Sequence, residues 1–274
     1  DIPVAGVEVN LSGETGATDA MTTDATGLFQ FTDLEAELDY TVAPSHFGEY
    51  LNGVTTSDIV EITQHILGGN LLDSPYEYIA ADVDGNEDIN VLDLVAIRRL
   101  ILGLADGFPN DQPSWRFVSA DHDFSDLTNP WADDFPEVNN HNDLVGVISN
   151  SDFIAAKLGD VNSTVIANST QDAEERSFRG DLEFEMDGLD MEAGETYRIP
   201  VRSSNLEEVL GYQFTFEFDQ MAVELQTIEP GLVPEGSFGL RFVDQGLITT
   251  SWNWEGGTPV ENWIGDEVLF TLVF

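Results

Sequence analysis

The chain has 274 residues, of which 52 are acidic and 9 are basic, so its formal net charge is -43 at pH 7. A surface this acidic repels nucleic acid and anionic membranes, so we expect neither as a partner and no membrane insertion. The hydrophobic content of 42% is enough for folded domains with cores, and the absence of cysteine excludes disulfides and thiolate metal sites.

Residues 1–45 have the pattern of short antiparallel strands. Gly6–Leu11 alternates apolar and polar residues, Leu28–Phe31 follows a turn-rich stretch, and Tyr40–Val42 follows in turn. The order GVEVNL, TTDATGLFQF, DYTV resembles a Cna protein B-type, or carboxypeptidase regulatory-like, β-sandwich, a module that serves as a stalk or spacer. Pro3 stands almost at the beginning, so the resemblance implies a domain at 1–45 that is open at its first strand.

Two helical segments repeat within residues 46–106. Asp58–Gly68 and Asp93–Gly103 lie 35 residues apart, and their apolar residues match at a spacing that places one apolar stripe on each helix. An aspartate is predicted to start each helix, and a glycine stands where a left-handed C-cap belongs. Two helices with matched stripes are expected to pack on each other.

A twelve-residue loop precedes the second helix. Side chains with oxygen atoms occupy its positions 1, 3, 5, 7, 9 and 12, which are Asp82, Asp84, Asn86, Asp88, Asn90 and Asp93. This spacing lets alternate residues of a tight loop surround Ca²⁺, which takes about 6–8 oxygen ligands. Magnesium, with fewer protein ligands and a stricter geometry, is the second choice, and a solvated acidic turn without an ion is the alternative.

The paired loop–helix segments resemble a dockerin, the calcium-binding module of bacterial extracellular assemblies. The loop departs from the EF-hand pattern at Glu87, where glycine is usual, and at Asp93, where glutamate is usual. In the first repeat only Glu49, Thr55 and Asp58 offer side-chain oxygens. Thr55 and Asp58 are therefore candidates for a second calcium site, and a structural copy without an ion is the alternative.

Residues 107–165 are predicted to return to the first domain. Trp115–Val118 and Phe153–Leu158 have strand patterns, and between them lies a long loop anchored by aromatic residues. Three aspartates of this loop suggest either another cation site or a solvated acidic turn: Asp121, Asp123 and Asp126. Residues 166–180 form a polar linker without apolar periodicity.

Residues 181–274 alternate apolar and polar residues throughout, most clearly at Tyr212–Phe218. The stretch AGETYRIPVRSSNLEEVLGYQFTFEFD with GDEVLFTLVF resembles a cohesin-type, Ig-like β-sandwich, which is either a partner for dockerins or a spacer. The resemblance implies a domain open at its last strand, so Val268–Phe274 is expected to present an exposed edge. Strand donation between successive subunits would then build a filament, whereas a longer chain cut at this point is the alternative.

No catalytic motif is present. The four histidines lack metal-ligand spacing, and no nucleophile elbow, P-loop or dinucleotide fingerprint occurs, so we expect no enzymatic activity. Three Asn-x-Ser/Thr tripeptides, at Asn10, Asn162 and Asn168, are candidate glycosylation sites.

The sequence as a whole predicts a mainly β protein with a small α part: two β-sandwich (Ig-like or prealbumin-like) domains and a dockerin-like pair of calcium loop–helix repeats. The combination resembles large secreted multi-module proteins of Bacteroidetes-type bacteria. We expect an extracellular or cell-surface structural protein, a calcium-stabilised stalk or filament subunit whose partners are copies of itself or other modules of a longer chain. The alternative is a binding module, either a cohesin–dockerin-type adaptor or a glycan-binding adhesin.

Overall fold

The computed structural model describes residues 2–168, 182–207, 209–256 and 267–274, and this part of the chain is mainly β with three α-helices. The helices are α1 (Thr56–Ile66), α2 (Pro75–Ala81) and α3 (Val91–Ile101). The strands are β1 (Glu8–Gly13), β2 (Thr18–Thr22), β3 (Tyr40–Ser45), β4 (Trp115–Ser119), β5 (Asn139–His141), β6 (Phe153–Lys157), β7 (Glu185–Met186), β8 (Arg198–Arg202), β9 (Gly211–Glu217), β10 (Thr227–Pro230), β11 (Phe238–Gly239), β12 (Leu247–Asn253) and β13 (Val268–Val273). Across the described ranges, no helix has the length and apolar character needed to cross a bilayer.

Contacts along the chain divide it into two compact units. The first consists of Asp1–Val54, Asn70–Ile97 and Gly107–Glu174, and the second consists of Thr55–Gly69, Arg98–Asp106 and Glu175–Phe274. The predicted segment 46–106 therefore contributes residues to both units, and the predicted domain boundaries stay a prediction.

In the first unit, an antiparallel sheet has the strand order β2-β1-β3-β5. In β1, the buried Val9 and Leu11 alternate with the exposed Glu8 and Asn10, as a strand with one buried face predicts. Leu28–Phe31 forms no strand, so that prediction is wrong. Its phenylalanines, Phe29 and Phe31, instead pack against the core as part of a loop, which satisfies the same apolar pattern.

Strands β4 and β6 pair with each other in a separate two-stranded sheet. They return to the first domain through side-chain packing, because Trp115 and Phe117 join the core formed by β1 and β3. Beyond this packing, a single bridge between His46 and Trp115 connects these strands to the backbone next to β3. The helix α2, which the sequence pattern did not predict, begins at Pro75 and is capped by the Ser74 hydroxyl, which accepts a hydrogen bond from the Tyr76 amide.

In the second unit, two antiparallel sheets have the orders β10-β13-β8-β7 and β11-β12-β9. Side chains from both sheets form one core, including Tyr212, Ile248, Trp252 and Phe270. The prediction that Val268–Phe274 presents an exposed edge is wrong, because β13 pairs with β10 on one side and β8 on the other.

The two repeated helices begin two residues earlier than predicted. Asp58 and Asp93 are third residues of their helices, and each accepts a hydrogen bond from the N-cap backbone amide, of Thr55 at 2.8 Å and of Asn90 at 3.0 Å. In α1 this contact is part of a capping box, in which the N-cap and the third helical residue each accept a hydrogen bond from the backbone amide of the other. The predicted left-handed glycines, Gly68 (φ 72°) and Gly103 (φ 68°), stand two residues after the last residue of each helix.

Candidate metal centre

The candidate loop connects α2 to α3 without an intervening element. The helix α2 ends at Ala81, Asp82 is its C-cap, and α3 begins at Val91. Both Gly85 (φ 71°) and Glu87 (φ 67°) have left-handed backbone conformations. Glu87 therefore adopts the positive φ that glycine usually supplies at position 6. This conformation is unfavourable for a residue with a side chain, and it persists only where the surrounding structure stabilises it.

Three of the six predicted ligands converge. Asp82, Asp84 and Asp93 each contribute an oxygen atom, and these atoms lie within 4.8 Å of one another. The three residues are only 2%, 9% and 0% exposed, respectively. Among the described residues, this is the only place where three groups of ligating type meet in this way.

Backbone amides fix the orientation of these carboxylates. The Val83 amide donates to Asp93 Oδ1 at 3.0 Å, and the Glu87 amide donates to Asp82 Oδ2 at 2.9 Å. The Asn86 amide donates to both Asp82 Oδ1 (3.0 Å) and Asp84 Oδ1 (3.1 Å). The carboxylates are thus held in place by the loop itself.

The other predicted ligands bond within the loop. Asn86 donates its side-chain amide to Asp84 Oδ2 at 3.0 Å, and Asn90 donates to Asp88 Oδ2 at 3.2 Å. Asn90 Oδ1 accepts the Leu92 amide at 2.8 Å and so helps to cap α3. Asp88 is exposed and lies outside the three-carboxylate group.

Burial and mutual repulsion make this group unfavourable when it is fully ionised. Burial, and then the neighbouring charges of Asp84 and Asp82, raise the pKa of Asp93 from 3.8 to about 6. Burial also raises the pKa of Asp82. A cation bound between the carboxylates would offset both effects, because an opposite charge favours the ionised form. The donors are all oxygen atoms, which suits a hard cation such as Ca²⁺ or Mg²⁺.

A cavity of about 160 Å³ borders the loop. Asp82, Gly85 and Glu87 line it on the loop side, and Arg116 and Trp131 line it from elsewhere in the same unit. The buried Asp82 therefore borders a cavity, and a metal site needs an entry path of this kind.

Sequence reasoning missed two residues that contact this loop, Asn110 and Gln112. The short 3₁₀ turn Pro109–Asp111 brings Asn110, with φ 56°, next to the loop, where its side-chain amide donates to the Asp84 carbonyl at 2.8 Å. The side chain of Gln112 lies against Gly85 so closely that a Cβ there would be 2.2 Å from Gln112 Nε2. No periodic pattern marks these two residues, so the sequence analysis did not identify them.

The first repeat is built differently. Asp58 Oδ2 accepts from Thr55 N and Thr55 Oγ1, so these two candidate ligands form a helix cap. The loop before them is held by two buried residues, Lys157 at the end of β6 and Asp160 just after it. The Lys157 ammonium donates to the Tyr50 carbonyl at 3.0 Å, and the Asp160 carboxylate lies where a Cβ at Gly53 would approach it to 2.7 Å. Lys157 is 4% exposed, so a fixed positive charge is buried beside this loop.

The remaining candidates have local roles. Asp126 Oδ1 accepts from the Thr128 amide and hydroxyl, and Asp121 and Asp123 are exposed. Of the candidate glycosylation sites, Asn10 is exposed on β1, Asn162 is partly buried, and Asn168 exchanges hydrogen bonds with Ala5 and Pro3.

Comparisons with known proteins add no assignment to this geometry. The chain matches no protein-family model, no curated protein and no solved structure.

Proposed function

We propose that this chain is a calcium-stabilised structural module of a secreted or cell-surface bacterial protein, in which the loop Asp82–Asp93 binds one Ca²⁺. The observation that carries the proposal is the convergence of three buried carboxylates within 4.8 Å in a loop whose spacing suits that ion. Asp82, Asp84 and Asp93 supply the charge, and the loop backbone and water complete the ligand set. The dockerin-like character of the loop and the helices that flank it is part of this proposal.

The role proposed for the ion is structural. Ca²⁺ neutralises carboxylates that otherwise repel one another, so its binding free energy adds to the stability of the folded state. Extracellular calcium modules bind with dissociation constants of about 10⁻⁴–10⁻³ M, which fits a location outside the cell. A stalk or spacer needs no catalytic group, and we propose none.

Removal of calcium tests the proposal. The full chain is stripped with a chelator, and its thermal unfolding is then followed with and without added Ca²⁺ or Mg²⁺. Saturation at 100 times the dissociation constant stabilises by about 2.7 kcal/mol, which corresponds to a rise of roughly 5–10 °C in the melting temperature. Calorimetric titration is expected to show one ion per chain, and an unchanged melting temperature with no binding heat would reject the proposal.

Assembly into a filament is a separate part of the proposal. Assembly by strand donation needs a strand edge that is free to pair with another subunit. Because β13 is paired on both sides, Val268–Phe274 does not support it. Electron microscopy of the purified chain with calcium present distinguishes ordered fibres from single particles.

A further inference from the structure

The seven-residue strand β9 lies at the edge of its sheet. It pairs with β12 on one side, from Gly211 opposite Asn253 to Glu217 opposite Leu247. Within the described ranges, no strand pairs with its other side, which we call the open edge. A strand edge presents amide and carbonyl groups that can pair with a further strand.

The direction of the backbone groups of β9 follows from the hydrogen bonds at its two ends. The Phe218 amide donates to the Gly246 carbonyl at 2.9 Å, and the Trp254 amide donates to the Leu210 carbonyl at 2.7 Å. In an antiparallel pair, alternate residues of a strand bond to the same neighbour. The even-numbered residues of β9 therefore bond to β12, and the backbone groups of the odd-numbered residues point to the open edge.

The two halves of β9 differ in what lies against them. In the first half, the Thr56 amide of α1 donates to Gln213 Oε1 at 2.6 Å, and a Cβ at Gly211 would lie 3.0 Å from Thr56 Cγ2. In the second half, Thr215 and Glu217 are exposed. The second half is therefore the part of the open edge that a further strand can reach.

Among the described edge strands, β9 is the longest, since the others have two to five residues. Proline and charged side chains at an edge discourage pairing with other chains. β10 ends at Pro230, and β4 and β6 contain Arg116 and Lys157. β9 has neither proline nor a basic residue, and its single charged residue is Glu217.

Aromatic side chains next to the open edge are incompletely buried. Phe214, Phe216 and Phe218 alternate along β9 and pack against the core between the two sheets, but they are only partly buried. Phe184, whose ring centroid lies 4.6 Å from that of Phe214, is also partly buried. A further strand beside β9 would remove more of this apolar surface from water, which favours its binding.

We propose that the open edge of β9 binds the same edge of a second copy of this chain, with the two strands antiparallel. Pairing about Phe216 places this residue opposite its own counterpart and Phe214 opposite Phe218 of the second copy. Thr215 lies opposite Glu217 of the second copy. The backbones of these two residues point to the open edge, so they exchange about four amide–carbonyl hydrogen bonds across the pair.

Two features favour a second copy as the occupant. The pairing is self-complementary, because aromatic side chains lie beside aromatic side chains and no charged residue lies directly opposite a like charge. It also leaves the half of β9 against which α1 lies outside the paired region in both copies. Since both copies use the same surface, the pair closes on itself and does not extend into a filament.

The ionic conditions have a defined effect on this pairing. The net charge of -43 on each copy opposes association, and salt shortens the range of this repulsion to about 3 Å at 1 M. The dimer is therefore expected to be more stable at high salt. None of the pairing residues belongs to the loop Asp82–Asp93, so the dimer is expected both with calcium and with a chelator, whether or not that loop binds an ion.

Sedimentation velocity of the full chain tests the proposal. The paired surface is small, so we expect a reversible monomer–dimer equilibrium at about 10–200 µM chain in about 1 M NaCl. The dimer fraction is expected to fall in about 0.05 M NaCl. A chain that stays monomeric under all of these conditions would overturn the proposal, and so would assemblies that grow beyond the dimer.

Two threonine-to-proline variants identify the edge that pairs. Thr215→Pro removes an amide that points to the open edge and leaves the bonds to β12 in place, so it is expected to weaken the dimer about tenfold or more. Thr22→Pro makes the same change at an exposed residue of the edge strand β2 and is expected to leave the dimer unchanged. An equal effect of both variants, or of neither, would contradict the assignment to β9.

A single cysteine tests the register and replaces Thr215→Pro if that variant does not fold. The chain contains no cysteine, so Phe216→Cys introduces a unique thiol. Directly opposite residues in a pair without hydrogen bonds have Cα atoms about 4.5 Å apart, a distance that a disulfide spans. With oxidised glutathione, Phe216→Cys is expected to give a disulfide-linked dimer and the control Thr22→Cys is not. A folded Phe216→Cys chain that forms no such link would overturn the pairing.

Discussion

Asp93→Asn is the sharpest test of the candidate site, because it removes a charge at the most buried of the three carboxylates. Asp93 is 0% exposed, and burial with the charges of Asp84 and Asp82 raises its pKa from 3.8 to about 6. Asparagine keeps the shape and one oxygen, but it neither ionises nor carries the charge that attracts a cation. The variant therefore changes calcium binding and pH dependence together.

The magnitude follows from the pKa difference. Each pKa unit is worth about 1.4 kcal/mol, so the ionised Asp93 destabilises the ion-free fold by about 3 kcal/mol at most. Because the folded-state pKa is higher than the unfolded one, the folded chain binds the proton more tightly. Without calcium, the contribution of Asp93 to the free energy of unfolding is therefore greatest below pH 3.8. This contribution falls as the pH rises from 3.8 through about 6. About 2 kcal/mol of this loss lies between pH 4.5 and 7.5.

The assay is denaturant unfolding in chelator at pH 4.5 and 7.5, then at pH 7.5 with calcium. Asp123→Asn, at an exposed aspartate of the other acidic loop, is the charge-matched control. Asp93→Asn is expected to lose about 2 kcal/mol of the pH-dependent change and nearly all of the calcium stabilisation, whereas Asp123→Asn keeps both. If the two variants show the same pH slope and the same calcium response, the reasoning about the buried carboxylates is wrong.

Three other predictions concern groups around the site. At pH 6, calcium binding is expected to release about half a proton from Asp93, which calorimetry in buffers of different ionisation enthalpy measures. Lys157→Met leaves the Tyr50 carbonyl without its charged donor, and we expect a loss of about 1–3 kcal/mol in unfolding free energy with calcium affinity unchanged; altered affinity would show that the first loop also holds the ion. Thr55→Ala removes the N-cap of α1 and is expected to lower the free energy of unfolding by about 0.5–2 kcal/mol in denaturant unfolding, with Ser57→Ala, two residues further along, as the control.

Sequence periodicity and spacing predicted the elements that are determined by residues close together in the sequence. The two helices follow from apolar stripes that repeat after 35 residues, and the left-handed glycines at their ends follow from the chemistry of C-caps. The three convergent aspartates follow from their spacing in one loop. In each case the interacting residues are near in sequence, so local pattern was sufficient.

Long-range pairing was beyond such reasoning. Val268–Phe274 reads as an apolar strand wherever it lies, and only the pairing with β10 and β8 shows that it is internal. The phenylalanines of Leu28–Phe31 are partly buried against the core although this segment has no partner strand, and alternation alone cannot distinguish such a loop from a strand. Thr56 and Ser251 are polar, so the sequence offered no reason to expect them buried, and their hydroxyls lie 2.7 Å apart although the residues are 195 positions apart in the chain.

Lys157 is the only lysine among these 274 residues, and its side chain is 4% exposed. Acylating reagents, reducing sugars and aldehyde cross-linkers all react with a free amine. In the folded chain this amine is buried and donates a hydrogen bond to the Tyr50 carbonyl. A protease that cleaves after lysine meets the same obstacle. The rate at which Lys157 is modified, followed as a mass shift at this single residue, therefore measures how often the first unit opens locally.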